Sequence, residues 1–178
     1  MFKFAIDDDI KLRLVESRYA DENYKVICAN KSHLKKWLPW VENNKIEDTK
    51  LFIEASKKQY CENNGFKSFI FCKNKIIGYI GYHKIDWINK TTSIGYWLVE
   101  DYVGKGIMTR VCKKFIDYAF VDLGLNRVEI RCAENNYKSR AIPERLGFTN
   151  EGTIREVELL NGLYVNHVVY GILKREWK

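Results

Sequence analysis

Tyr96-Trp97-Leu98-Val99-Glu100-Asp101-Tyr102-Val103-Gly104-Lys105-Gly106-Ile107-Met108-Thr109 decides how this chain is read: an apolar run with strand character enters a turn with two glycines, and the turn opens a helix. A turn of this kind aims several backbone N–H groups and a helix N-terminus at one spot, where a pyrophosphate fits without a dedicated cationic side chain. The plainer reading is a tight turn and nothing more, since glycine serves both purposes. Further on, Arg131 through Phe148 again runs from a strand through a polar turn into a short helix. Together the two segments point to a fold that grips a phosphorylated group between two strand ends.

Working outward, Ile10-Lys11-Leu12-Arg13-Leu14-Val15 alternates apolar and basic residues and forms a first strand. Residues 17 to about 30 are helical with Ser17 in the N-cap position, and a short helical piece with Leu34, Trp37 and Leu38 stops at Pro39. A further helix runs from near Asp48 to about Gly65, with Leu51, Phe52, Ala55 and Gln59-Tyr60 at helical spacing. Residues 66–72 and 75–82 pair as a hairpin over Lys73-Asn74, and after residues 86–90 a strand over 91–99 delivers the chain to the glycine turn.

Beyond the turn, Met108, Val111, Cys112, Phe115, Ile116 and Ala119 mark an amphipathic helix that Gly124 ends. Residues 127–133 are a strand. Proline is comfortable only in the first turn of a helix, so Pro143 puts the next N-cap near Ser139; residues 149–160 and 163–173 close the chain as a hairpin around Asn161-Gly162. The sum is a single α/β (α+β) domain over residues 1–178, with a mixed central sheet of about seven strands flanked by about four helices. The sheet is expected to be antiparallel at first and parallel around the two strand-to-helix crossings.

With 46% hydrophobic and 14% aromatic residues, the 178-residue chain can bury one sizeable core. The start at Met1-Phe2-Lys3 has no leader pattern and no apolar run nears the roughly 18 residues of a membrane span, so a cytoplasmic protein without a membrane partner is expected. Cys28, Cys61, Cys72, Cys112 and Cys132 are scattered, and His33, His83 and His167 lie far apart. The cysteines read mostly as reduced core thiols, the histidines as structural or surface residues, and no metal is expected. The net charge of +7 suits an anionic partner. Its lysines form no block and no nucleic-acid motif is visible, so a field that steers anions is preferred over direct nucleic-acid binding.

Val103-Gly104-Lys105-Gly106-Ile107-Met108 resembles the coenzyme A pyrophosphate loop of the GNAT superfamily of N-acetyltransferases, and Asn136-Tyr137-Lys138-Ser139 through Leu146-Gly147-Phe148 resembles that superfamily's next motif. Cys28-Ala29-Asn30-Lys31, Leu38-Pro39-Trp40, Ile94-Gly95-Tyr96-Trp97-Leu98 and Glu158-Leu159-Leu160-Asn161 are similar to the ribosomal-protein-serine N-acetyltransferases, over nearly the whole chain. The resemblance implies acetyl-CoA as cofactor, with coenzyme A as product. It also implies that Leu98 and Val99 meet the pantetheine arm through the backbone and that the amides of Gly104, Lys105, Gly106, Ile107, Met108 and Thr109 hold the pyrophosphate. Asn136 would bind the cofactor's amide arm, Glu158 would be the general base, and Ser139 the acid near the sulfur. Val103 stands where the superfamily usually has Gln or Arg, and Asn166 where related sequences frequently have Asp.

Attack on a thioester requires a neutral amine, and an α-amine with a pKa of about 7.7–8.0 offers far more of it at pH 7 than a lysine near 10.4. One carboxylate therefore suits an N-terminal substrate. Alternation puts Glu158 on the strand face of Ile154 and Leu160, an apolar setting that favours a base; the competing reading is an exposed edge charge or an ion pair with a nearby arginine. A strand N–H near Leu98 or Val99 is the natural oxyanion donor. Trp37, Pro39 and Trp40, with Tyr82 and Trp87, either wall a substrate groove or pack the core, and such surfaces leave a homodimer open. The expected acceptor is a protein N-terminus. The alternatives are a small amine such as a polyamine or antibiotic, and a non-catalytic acyl-CoA-binding interaction module.

Overall fold

A computed structural model describes residues 3–178; the reading of the chain start falls partly on Met1 and Phe2, outside the described residues. The strands are β1 (Lys3–Ala5), β2 (Ile10–Leu14), β3 (Lys67–Cys72), β4 (Lys75–Asp86), β5 (Thr91–Leu98), β6 (Arg127–Ala133), β7 (Thr149–Leu160) and β8 (Leu163–Leu173). The helices are α1 (Ala20–Ala29), α2 (Lys31–Leu34), α3 (Ile46–Cys61), α4 (Ile107–Val121) and α5 (Tyr137–Arg145). Strand order in the sheet is β1-β2-β3-β4-β5-β6-β8-β7. The architecture is the expected mixed α/β one, with eight strands and five α-helices among the described residues.

The chain divides into two compact units, one of residues 1–81 with 96–107 and one of residues 82–95 with 108–178. The first is an antiparallel meander: Lys3 registers with Arg13, Ile10 with Cys72, and Lys67 with Gly81. Lys73 and Asn74 turn the β3–β4 hairpin with φ of +47° and +65°, a pair that matches the right-handed twist of the strands. Val15, Tyr19, Ala20, Ile53, Phe69, Phe71 and Ile76 form the core over this meander. Each large apolar side chain buried there contributes on the order of 1.5–3 kcal/mol.

Several local expectations change here. Ser17 is no N-cap; it opens a 3-10 turn, Ser17–Tyr19, and its hydroxyl donates to Glu54 (3.0 Å). The buried stripe of α3 is Thr49, Ile53 and Ser56, whereas Leu51 and Tyr60 are exposed. Ser56 turns its hydroxyl back to the Phe52 carbonyl, and so a polar residue can line a buried face. Tyr82 belongs to β4 and is fully buried, so it walls no groove; Trp40 and Trp87 are exposed.

In the second unit, α4 buries Val111, Cys112, Phe115, Ile116 and Ala119, the apolar face its spacing predicts. Tyr82 donates its hydroxyl to the carbonyl of Phe115, tying strand to helix. Parallel pairing covers Thr91–Ser93 of β5 against Arg127–Glu129 of β6. The second crossing does not add another parallel pair: β8 occupies the place beside β6, antiparallel to it, and β7 lies beyond as the end strand. On the face of β6 that bears Arg127, Glu129 and Arg131, the Arg127 guanidinium grips Glu151 of β7 with both Nη atoms. A Cβ at Gly171 of β8 would collide with both partners. Cys112 and Cys132 are buried, Cys72 is intermediate and Cys28 and Cys61 are exposed, so core packing describes fewer than half of the thiols.

Candidate active site

Three pieces of chain carry the candidate residues, one in the first unit and two in the second, each with its own geometry. The first is the turn after β5. Val99 donates its N–H to the Ile77 carbonyl (2.9 Å), and its own carbonyl accepts from Tyr102 (3.1 Å). That donor is therefore spent on the fold and is not on offer to a pantetheine arm or an oxyanion. Alternation along β5 turns the N–H of Leu98 to the edge opposite β4.

After the 3-10 turn Glu100–Tyr102 the chain passes Gly104 and Gly106 at φ of +82° and +69°. A Cβ at Gly104 would meet nothing within 4 Å, so backbone conformation and not crowding demands glycine there. Residues alternating between left- and right-handed conformations turn successive N–H groups into an anion-binding concavity. This one leads straight into Ile107, the first residue of α4, whose first turn holds no acidic side chain to offset the positive helix end.

Ile107 and Met108 are buried and anchor the turn. Thr109 accepts a hydrogen bond from Arg145 Nη1 (2.8 Å). Arg145 thus brings a guanidinium to the first turn of α4, a cation that the sequence reading missed. Its position in the last turn of α5 reads, from sequence, as an ordinary partner for a helix C-terminus. Lys105 stays exposed, its ammonium 5.2 Å from the Tyr102 ring centre. The glycine pair and the amides of this turn fit a pyrophosphate such as that of acetyl-CoA.

The second piece joins β6 to α5. The cap of α5 is Asn136, three residues before the expected one, because its side-chain oxygen accepts from the Ser139 N–H (3.2 Å) and fixes the first turn. Pro143 consequently lies inside the helix and contributes no N–H toward the carbonyl of Ser139. The Ser139 hydroxyl lies 3.2 Å from the Cys132 thiol. Arg140 donates to the Tyr170 hydroxyl (2.9 Å), which donates to Glu144 (2.6 Å), and this chain clamps α5 to β8. The Tyr170 phenol is pushed up by burial and the hydrogen bond to Glu144, so it remains protonated.

The third piece is a bulge in β7. Ile154 registers with His167 and Glu158 with Val165, so three residues of β7 face Asn166 alone. Glu156 takes φ of +49° there, held by its N–H donating to Asn166 Oδ1 (2.9 Å), while Asn166 Nδ2 donates to Glu134 (2.9 Å). Inserting two residues preserves strand parity. Glu158 therefore shares a face with Ile154 and Leu160 as alternation predicts, and along β7 only Glu158 and Leu160 escape full exposure. Its partner is neither an arginine nor a wholly apolar wall: Oε2 lies 2.8 Å from His167 Nε2.

Within the second unit, then, β6 and β8 connect two of these elements. Ala133 registers with His167, the residue paired with Glu158, and Cys132 beside it meets Ser139. His167 and Cys132 were read as surface and core residues; neither role in this arrangement has a signal in local sequence, because their partners lie across a bulged hairpin and in the next helix.

Residues 9–149 match the acetyltransferase (GNAT) domain family. The chain is 39% identical over 180 residues to the putative ribosomal N-acetyltransferase YdaF of Bacillus subtilis (strain 168), covering 100% of this chain and 98% of that protein. Its fold matches the microcin C7 self-immunity acetyltransferase MccE in complex with acetyl-CoA and AMP at a TM-score of 0.88 and 36% identity, over 94% of both chains. It matches RimL, a ribosomal L7/L12 α-N-protein acetyltransferase in complex with coenzyme A in disulfide linkage to a cysteine, at a TM-score of 0.92 and 26% identity over 97% and 98% of the two chains. With the glycine turn, the helix end and the family match in agreement, this chain belongs to the GNAT acetyltransferases and is an acetyl-CoA-dependent acyltransferase.

Proposed function

We propose that this protein, acting as one acetyltransferase domain over residues 1–178, moves the acetyl group of acetyl-CoA to the N-terminal α-amine of a ribosomal protein in the cytoplasm. The observation that carries the acceptor is the full-length likeness to a ribosomal N-acetyltransferase. The chain's net charge of +7 supports it, since an acidic acceptor is drawn to such a field.

Acetyl-CoA supplies an activated acetyl thioester. The amides from Gly104 to Thr109 hold its pyrophosphate, Arg145 is bonded to Thr109, and Asn136 orders the start of α5 and the amide arm. The N–H of Leu98 faces the carbonyl oxygen where charge develops. Glu158 takes a proton from the incoming ammonium, leaving the electron pair on nitrogen for attack, and Ser139 gives a hydrogen bond to the departing sulfur. Cys132 is buried, but its place beside Ser139 supports it as the thiol nearest the acyl sulfur, where RimL carries its coenzyme A disulfide on a cysteine of its own.

The test is acetylation of dissociated ribosomal proteins, peptides with a free N-terminal serine or alanine, and spermidine, each read by thiol release and mass spectrometry. One acetyl group at a protein α-amine is expected. The match to MccE favours a second reading, a small-molecule acceptor, and faster turnover of a small amine than of any protein would replace the first. The exposed side chains Val157, Leu159, Leu163 and Tyr164 at the tip of the β7–β8 hairpin support pairing as a homodimer.

A further inference from the structure

We infer that His167 is a positioning residue for Glu158, holding its carboxylate as the proton acceptor of the acetyl transfer; this rests on the assignment of Glu158 as base. The two side chains come from different strands and meet only because of the bulge. Val165 and His167 alternate on one face of β8, and the two extra residues in β7 bring Glu158, not Glu156, opposite Val165. From there Glu158 reaches diagonally to His167, a cross-strand distance that long side chains span.

The pair is 20% exposed on the histidine side and 33% on the glutamate side, so it is shielded from bulk water yet open to a substrate. Nε2–H donates to Oε2 at 2.8 Å, and Oε1 makes no hydrogen bond among the described residues. An unrestrained glutamate samples several rotamers; one oxygen tethered to an imidazole leaves the other aimed in a fixed direction. The backbone around the pair is itself fixed, by Asn166 bonded to Glu156 and to Glu134 on either side.

In the step that follows, the ammonium N–H bond breaks and its proton goes to Oε1 of Glu158. The electron pair stays on the amine nitrogen. His167 keeps its own proton on Nε2 and changes neither charge nor oxidation state; its hydrogen bond offsets part of the carboxylate's freedom before the reaction, so less reorganisation remains for the transition state.

The experiment compares the wild type with His167→Leu, which removes the donor, His167→Gln, which keeps an N–H at nearly the same reach, Glu158→Gln, and the double variant E158Q/H167L, with the fastest acceptor of the panel above. Thermal midpoints within a few degrees of one another verify folding. We expect H167L to lower kcat roughly 10- to 100-fold with KM for acetyl-CoA unchanged, H167Q to recover most of that loss, and the double variant to be no slower than E158Q. Imidazole nitrogen spectra of the unliganded protein, which need no acceptor, are expected to show His167 as the Nε2–H tautomer and to lose that preference in E158Q. H167L at wild-type kcat while E158Q is slow overturns the positioning role and leaves the base standing. A further loss of kcat on adding H167L to E158Q, or mixed tautomers in the wild type, also overturns it. E158Q at wild-type kcat overturns both assignments.

Discussion

At the scale of single residues, chemistry was legible where the side chain sits beside its own motif and hidden where its partner comes from elsewhere in the chain. Ser139 could be singled out from the turn that holds it, and Asn136 from the resemblance of that turn to a family motif. That Asn136 would cap the helix and so displace the start away from Ser139 could not, since proline position argued for a later start and lost to a side-chain hydrogen bond worth about 1 kcal/mol. Cys132 illustrates the same limit, and it yields a test. The thiol of buried Cys112 is pushed well up by burial, with the charge of Cys132 adding to it, and stays protonated. Treated with coenzyme A disulfide, Cys132 should form a mixed disulfide and release one coenzyme A thiol, leaving Cys112 untouched. Exposed Cys28 and Cys61 will also react, so competition is the discriminating readout: acetyl-CoA should protect Cys132 in peptide maps and leave the other two unaffected. Labelling of Cys132 that acetyl-CoA cannot suppress would separate this thiol from the acyl-donor site.

Among the elements, the long periodic ones were read correctly and the connections less so. α4 announced itself by apolar spacing, and β6, β7 and β8 have the boundaries that alternation and the Asn161-Gly162 turn indicate. β1 escaped notice because three residues carry almost no periodicity. The bulge in β7 also escaped, because the signal for two extra residues resides in the partner strand. The ion pair that links β6 to β7 makes a prediction at this scale. Hydrogen bonds from Arg127 hold the Glu151 carboxyl below its usual value, so the pair adds stability at pH above the ordinary glutamate value of about 4.3 and loses it as pH falls through the lower folded value. Glu151→Gln should therefore lower the thermal midpoint at pH 7, and the gap from wild type should close in acid. A gap that persists unchanged at a pH below the lowered folded value, where the carboxyl is neutral in both states, would assign the loss to packing instead.

For the whole molecule, composition and element order were enough to name a mixed α/β fold, but they did not say which strands would be neighbours. The hairpin of β7 and β8 was evident, whereas the entry of its second arm beside β6 was not. Hairpin formation is local; docking depends on which arm has an apolar face, and β8 buries Val168, Tyr170 and Ile172 while β7 is exposed along nearly its full length. The apolar tip left on that hairpin predicts self-association: sedimentation should give the mass of two chains at micromolar concentration, and Leu159→Glu with Leu163→Glu should return it to one. A one-chain mass for the wild type would reject the dimer. Gly171 carries a different lesson about the surface. It lies beneath the Arg127–Glu151 bridge, and a Cβ there would meet the far ends of both flexible side chains, which would have to swing aside. A saturation library would accordingly find other residues accepted there at the cost of one surface clasp, and breeding a hardier variant of this enzyme would weigh a better β-former against that loss.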